Sequence, residues 1–272
     1  MTQAASNPFF SKYKTPFETP PFNKIKTEHY EPAFDEGIKQ LAQEVETIAG
    51  NPQPATFKNT IEALEYSGKL LTKVSSAFYN VLSAESNDEM MEISERISPK
   101  LSESSNNIYL NEKLFARVKA VYEQKDKLHL STEEAKLLEE TYYAFSVRGA
   151  NLSAEDKAKY RELSTELSKL TLKFDQNVLK DENRYELLLT SEDQLAGLPQ
   201  GVIDAAALKA KEKGKTGWMF TLSAPSYVPF MRYADNRELR KELYLANMAV
   251  GNKGDEYDNK EKMKNIVNSR LA

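Results

Sequence analysis

The chain has no cysteine, so disulfides, thiol nucleophiles and thiolate metal sites are excluded. Histidine occurs only at His29 and His129, and tryptophan only once. Glycine is scarce, 10 in 272 residues, which suits helices joined by few tight turns. No apolar run approaches the roughly 18 residues that a membrane span needs. The opening residues 1–6 lack the basic start and apolar centre of a secretory leader. A cytoplasmic chain is expected, or a periplasmic one whose leader has been removed. Net charge is −4, so no basic surface dominates, which argues against nucleic acid as the main partner. What is present is 40% hydrophobic and 29% charged, the balance of a globular chain long enough for one large or two ordinary domains. The expectation is a monomer with neither a membrane nor a nucleic acid as partner.

Helical spacing dominates. Phe34, Ile38, Leu41, Val45 and Ile48 recur at steps of four and three between Glu31 and Gly50, and mark one helical face. Pro32 falls in the first turn, and Gly50-Asn51-Pro52 stops the helix. A second helix is expected from Asn59, with Glu62 as its capping partner and a stripe of Ile61, Leu64, Leu71, Val74, Phe78 and Val81. Gly68 interrupts it at a cost of about 1 kcal/mol relative to Ala, a sign of close helix contact or of a tolerated weak point. Asn87 opens a third helix, which Pro99 should kink, and Asn111 a fourth. Ser131 and Glu134 form a capping box for a fifth helix that ends at Gly149. Ser153 caps a sixth, longer helix striped by Tyr160, Leu163, Leu167, Leu170, Phe174 and Val178.

The period then changes. Tyr185–Thr190 and Trp218–Ser223 alternate as short strands, expected to pair as one ribbon around a helix over Gln200–Lys213. Helices resume over Ser226–Tyr233, Asn236–Ala249 and Asn259–Leu271, the last without a stop signal. The expected class is all-α, predominantly helical with one small two-stranded β ribbon. Its expected organisation is a Pro- and aromatic-rich arm over 1–30 and a helical domain over 31–272 that carries the ribbon at about 184–223.

Several blocks, taken in order and spacing, carry a resemblance. They are Asn7-Pro8-Phe9-Phe10, Thr15-Pro16-Phe17-Glu18 with Pro20-Pro21-Phe22, Glu28-His29-Tyr30-Glu31-Pro32-Ala33-Phe34, the stretch 57–65 with Ser67-Gly68, the stretches 86–89 and 108–115, Leu195–Pro199 and Asn236–Arg240. The chain resembles the N-terminal portion of the thimet-oligopeptidase-like zinc metallopeptidases, in particular the bacterial peptidyl-dipeptidases. The resemblance implies a helical ellipsoid split by a channel, with this portion as one wall and the zinc site later in a longer chain. It implies zinc as cofactor of the full-length enzyme, short peptides as substrates, and release of dipeptides from peptide C-termini. The family signature is His-Glu-x-x-His on a helix. Neither His29 nor His129 begins that pattern, so no catalytic residue, no metal ligand and no cofactor is assigned within this chain. A zinc-bearing C-terminal domain is the implied missing partner.

The remaining candidates carry ordinary readings. His29 and Tyr30 suit anchoring of the arm to the first helices, and His129 suits an exposed loop. Gly214-Lys215-Thr216 lacks the glycine of a phosphate loop five positions earlier, where Lys209 stands, and reads as a polar turn. Asn151-Leu152-Ser153 fits a glycosylation sequon, but Ser153 is better explained as a helix cap. Glu139, Glu140 and Glu182 suit a solvated helix face. Phe78, Tyr79, Tyr142, Tyr143 and Phe145 suit a core. Tyr227 and Phe230, after the second strand, are the candidates for lining a substrate channel. Two functions follow: a part of a zinc peptidyl-dipeptidase that is inactive by itself, or a stand-alone helical scaffold or peptide-binding module. The unclosed last helix favours the first.

Overall fold

The computed structural model describes residues 7–84 and 87–272; residues 1–6, and Ser86 at the head of the 86–89 block, lie outside the described residues. The chain divides into two compact units, 1–169 and 170–272, and the division falls inside one long helix. It is 71% helical, with a single two-stranded ribbon among the described residues, so the all-α class expected from periodicity holds.

In the first unit, short 3-10 turns at Pro8–Phe10, Pro16–Glu18 and Thr27–His29 shape the arm. The arm leads into α1 (Tyr30–Ala49), whose predicted stripe faces inward, with Phe34, Val45 and Ile48 buried. A π-helical turn (Phe57–Glu62) runs into α2 (Ala63–Glu65), followed by α3 (Lys69–Ala84). The start and continuity of this region differ from expectation. The cap is Thr56, not Asn59: the Thr56 hydroxyl accepts the Asn59 N–H at 3.1 Å, and the Asn59 carboxamide accepts the Thr56 N–H at 2.8 Å. Asn59 is therefore the third helical residue of a box whose partner is an amide. The chain also breaks at Gly68, where φ is +68 and the N–H donates to Glu44 Oε2 at 2.7 Å. The left-handed backbone that glycine alone adopts freely splits one expected helix into two.

The remaining helices of this unit are α4 (Asp88–Tyr109), α5 (Glu112–Tyr122), α6 (Thr132–Val147) and the start of α7 (Ala154–Asn183). Their caps are those read from the sequence. Asn87, Asn111 and Ser131 accept the N–H of Met90, Leu114 and Glu134, and the Ser153 hydroxyl accepts that of Asp156. α4 runs through Pro99 without ending. Two apolar clusters result. One joins Phe9, Tyr30, Phe34, Val74, Phe78, Met90 and Ile97. The other joins Val45, Ile48, Ile61, Leu114, Val118, Leu138 and Phe145.

The second unit holds β1 (Leu187–Leu189), α8 (Gln200–Glu212), β2 (Trp218–Phe220), α9 (Ala224–Tyr233), α10 (Arg237–Met248) and α11 (Lys260–Leu271). The strands pair antiparallel, Leu187 with Phe220 and Leu189 with Trp218. They are shorter than the alternation suggested because side chains capture the next donors. The Thr190 and Ser191 N–H groups donate to Gln194 Oε1, and the Thr221 N–H to Ser226 Oγ. The core gathers Leu187, Leu189, Leu198, Ala206, Phe220, Leu222, Phe230 and Leu243. On α7 the apolar stripe is only half-buried, and its fully buried side chains are polar: Gln176, Asn177 and Asp181.

Candidate functional site

The residues proposed from the sequence fall in different places. Phe230 is fully buried and meets the Phe220 ring edge-on at 4.6 Å, inside the core of the second unit. Tyr227, one turn earlier on α9, is half-buried at the margin of the same core and keeps some surface. In the first unit, Tyr30 is buried between Phe9 and Phe78, with ring centroids at 5.4 and 5.0 Å. His29 accepts the Lys26 N–H on Nδ1 at 3.0 Å, and its carbonyl accepts from Asn7 Nδ2 at 2.8 Å. Both residues thus fasten the arm to α1. His129 is exposed. Glu139 and Glu140 are exposed, and Glu140 pairs with Lys136 at 2.7 Å, while Glu182 is half-buried.

The aromatic set splits. Phe78 and Phe145 are core, but Tyr79 is 40% and Tyr143 63% exposed, contrary to the core expectation. Adjacent helical residues cannot share a face, so Tyr143 turns outward where Tyr142 stacks on Tyr122 at 4.0 Å. Gly214 closes α8, and Lys215 pairs with Glu186 at 2.5 Å, so that segment is a helix end.

A groove of about 1160 Å³ lies between the arm, α1 and α3, lined among others by Lys12, His29, Glu36, Lys39, Lys69 and Lys73. Lys73 forms its arm-side wall and is missed by sequence reasoning. Its ammonium donates to the carbonyls of Phe9 at 2.9 Å and Ser11 at 2.6 Å, and lies 3.8 Å from the Tyr13 ring centre. Burial lowers its pKa. Burial likewise pushes the Tyr13 phenol up to about 12, and that hydroxyl has no hydrogen-bond partner among the described residues. A second groove, about 580 Å³, lies between α1 and α4 beside Asp35, Glu46, Lys100 and Glu103.

Among the described residues no group of three His, Cys, Asp or Glu side chains is placed to hold an ion. Nor is any helix of the described residues long and apolar enough to cross a membrane.

No protein-family model matches the chain. Individual proteins do. It is 38% identical over 265 residues to the dipeptidyl carboxypeptidase of Escherichia coli (strain K12), an alignment spanning 97% of this chain and 39% of that protein. It is 31% identical over 257 residues to the oligopeptidase A of the same organism, spanning 93% of this chain and 38% of the relative. To the thimet-like oligopeptidase of Dictyostelium discoideum it is 25% identical over 228 residues, or 82% of this chain and 32% of the relative. The chain thus spans about two-fifths of the length of the two Escherichia coli relatives. Along nearly its whole length it is a homologue of the dipeptidyl carboxypeptidases and oligopeptidases A, and it matches an N-terminal portion of them.

Proposed function

We propose that this chain serves as the N-terminal helical part of a zinc-dependent peptidyl-dipeptidase acting on short peptides. The observation that carries the reading is the asymmetry of the match: 97% of this chain against 39% of a protein named dipeptidyl carboxypeptidase. In this reading the zinc and its water belong to the remaining part. The role of this part is then steric and electrostatic. Its helices form one wall of a channel that admits extended peptides and excludes folded proteins. Tyr227, which keeps exposed surface next to a rigid core, is the residue proposed to face that channel.

The test compares the 272-residue chain with the longer protein that carries it. After dialysis the short chain should hold no stoichiometric zinc and cleave no peptide. The longer protein should release dipeptides from peptide C-termini and stop when a chelator is added. A short chain that cleaves peptides, or a longer protein that binds peptides without hydrolysing them, refutes the reading. The second outcome would favour a peptide-binding module.

A further inference from the structure

One large side chain is neither buried nor relaxed by the fold. Phe17 is 97% exposed, more than any other large apolar residue among those described. Its backbone lies at φ 57 and ψ 19, and that of Glu18 at φ 55. These are the two non-glycine residues with positive φ among the described residues. Left-handed backbone is unfavourable for L residues, and a bulky ring there is a genuine outlier. A solvated phenyl ring gains no burial that offsets this strain, and strain of this kind points toward a use.

The turn that holds the ring is built. The Glu18 N–H donates to the Thr15 carbonyl at 3.1 Å, and Thr19 Oγ1 donates to the Pro16 carbonyl at 3.1 Å. The Thr15 hydroxyl donates to the Thr19 carbonyl. Lys12 pairs with Glu18 at 2.6 Å. Pro16 fixes its own φ, and Pro20-Pro21 stiffen the exit. Behind the turn, Phe9 sits in the core and Lys73 grips the Phe9 and Ser11 carbonyls. The ring is therefore displayed at a fixed place by a clamped arm. Phe10 and Phe22 on the same arm are also exposed, at 38% and 52%.

We propose that Phe17 is a docking anchor that inserts into an apolar pocket on the part of a relative-length protein that this chain does not include. The inference rests on the reading under Proposed function. The occupant follows from length: the chain covers 39% of the Escherichia coli dipeptidyl carboxypeptidase, leaving about three-fifths of such a protein to pack against surfaces that here face solvent. A rigid, pre-organised aromatic is the kind of side chain that carries an interface, because little entropy is lost when it docks.

Two substitutions test this without endangering the fold. Phe17→Gly suits left-handed backbone and deletes the ring. Glu18→Gly relaxes the same turn and keeps the ring. Each is made in the 272-residue chain and in the longer protein that carries it, and read by thermal melting and by limited proteolysis within residues 7–30. In the 272-residue chain both should leave Tm unchanged or raise it. In the longer protein Glu18→Gly should do the same. Phe17→Gly should there lower Tm and speed cleavage of the arm at least about tenfold, as loss of a buried aromatic contact does. Equal responses of Phe17→Gly at the two lengths overturn the proposal. So does a concentration-dependent dimer of the 272-residue chain that Phe17→Gly abolishes, since the occupant is then a second copy. Chelator-sensitive peptide cleavage is measured on the same longer protein. Its absence defeats the reading of function while the docking readout stands, so the two failures are separable.

Discussion

The carboxylate of Asp181 accepts the backbone N–H of Gly251 at 2.7 Å, across 70 positions of chain, at a site with no solvent exposure. The same carboxylate accepts from Lys253 Nζ at 2.8 Å and Arg184 Nε at 2.6 Å. Asn177 and Asn259 bond beside it at 2.9 Å. One polar cluster thus ties the 251–258 loop to the C-terminal turns of α7.

Burial alone would raise the Asp181 pKa, but the bonds from Lys253, the Gly251 N–H and Arg184 outweigh it and hold the carboxyl below its ordinary value. The sign follows. A depressed folded pKa contributes stability that is fully present above the unfolded value, about 3.9, and is lost as pH falls through the folded pKa. Asp181→Asn should therefore cost about 3–5 kcal/mol at neutral pH, since it strips a buried charge from its partners. The gap between wild type and variant should hold from pH 7 to about 5, begin to narrow near the unfolded value of about 4, and close only below the folded pKa. Melting curves across that range check it, and a gap that persists unchanged into strong acid would show that Asp181 acts by shape alone.

Gly37 marks the crossing of α1 and α3. A Cβ there would lie 3.0 Å from both Leu71 Cα and Leu71 N, which are backbone atoms that cannot swing aside. Gly37→Ala gains about 1 kcal/mol of helix propensity. The overpacking should exceed that gain and leave the variant less stable by about 1–2 kcal/mol in urea titration. A stabilised variant would mean that the two helices separate freely.

Phe9 is 1% exposed and contacts Tyr30, and the arm depends on it. Phe9→Ala should cost about 3–5 kcal/mol. It should also expose residues 7–30 to proteases before the rest of the chain melts. Lys73→Met, which removes two hydrogen bonds and keeps the stem, should loosen the arm with a smaller loss of stability. If the arm stays protected in both variants, another contact holds it.

The helices were legible because their signals are local. Ser131 with Glu134, and Asn87, Asn111 and Asn236, each cap the helix that their spacing announced. Stripe residues such as Phe34 and Val45 need only the helical period to be placed inside. The break at Gly68 was not legible, because a glycine in a helical pattern reads the same whether it is tolerated or left-handed. The Thr56 box was missed because Asn59, its partner, is itself a common cap residue. Lys73, Asp181 and the close approach at Gly37 depend on contacts far apart in sequence, and no local pattern encodes them. Of the two channel candidates, Phe230 shows the limit of reading aromatics from sequence. Its neighbours Tyr227 and Tyr233 keep surface while it does not, and only the packing of α9 on β2 decides which.

α11 has no buried residue. Met263, Val267 and Leu271, spaced four apart on one face, are 55%, 49% and 80% exposed. A helix of 12 residues with this little packing is marginal in water, because nucleation costs more than its own hydrogen bonds return. In the monomeric 272-residue chain the amides from Lys262 to Arg270 should therefore exchange with little protection, while those from Ile38 to Val45, beside the buried Phe34 and Val45, exchange near the global unfolding rate. In the longer protein the apolar face of α11 should be covered and the 262–270 amides should slow. Hydrogen exchange read by mass spectrometry separates the outcomes. Equal protection of the two segments in the isolated monomer would mean that α11 needs no cover, and a stand-alone domain would then be the better account of this chain.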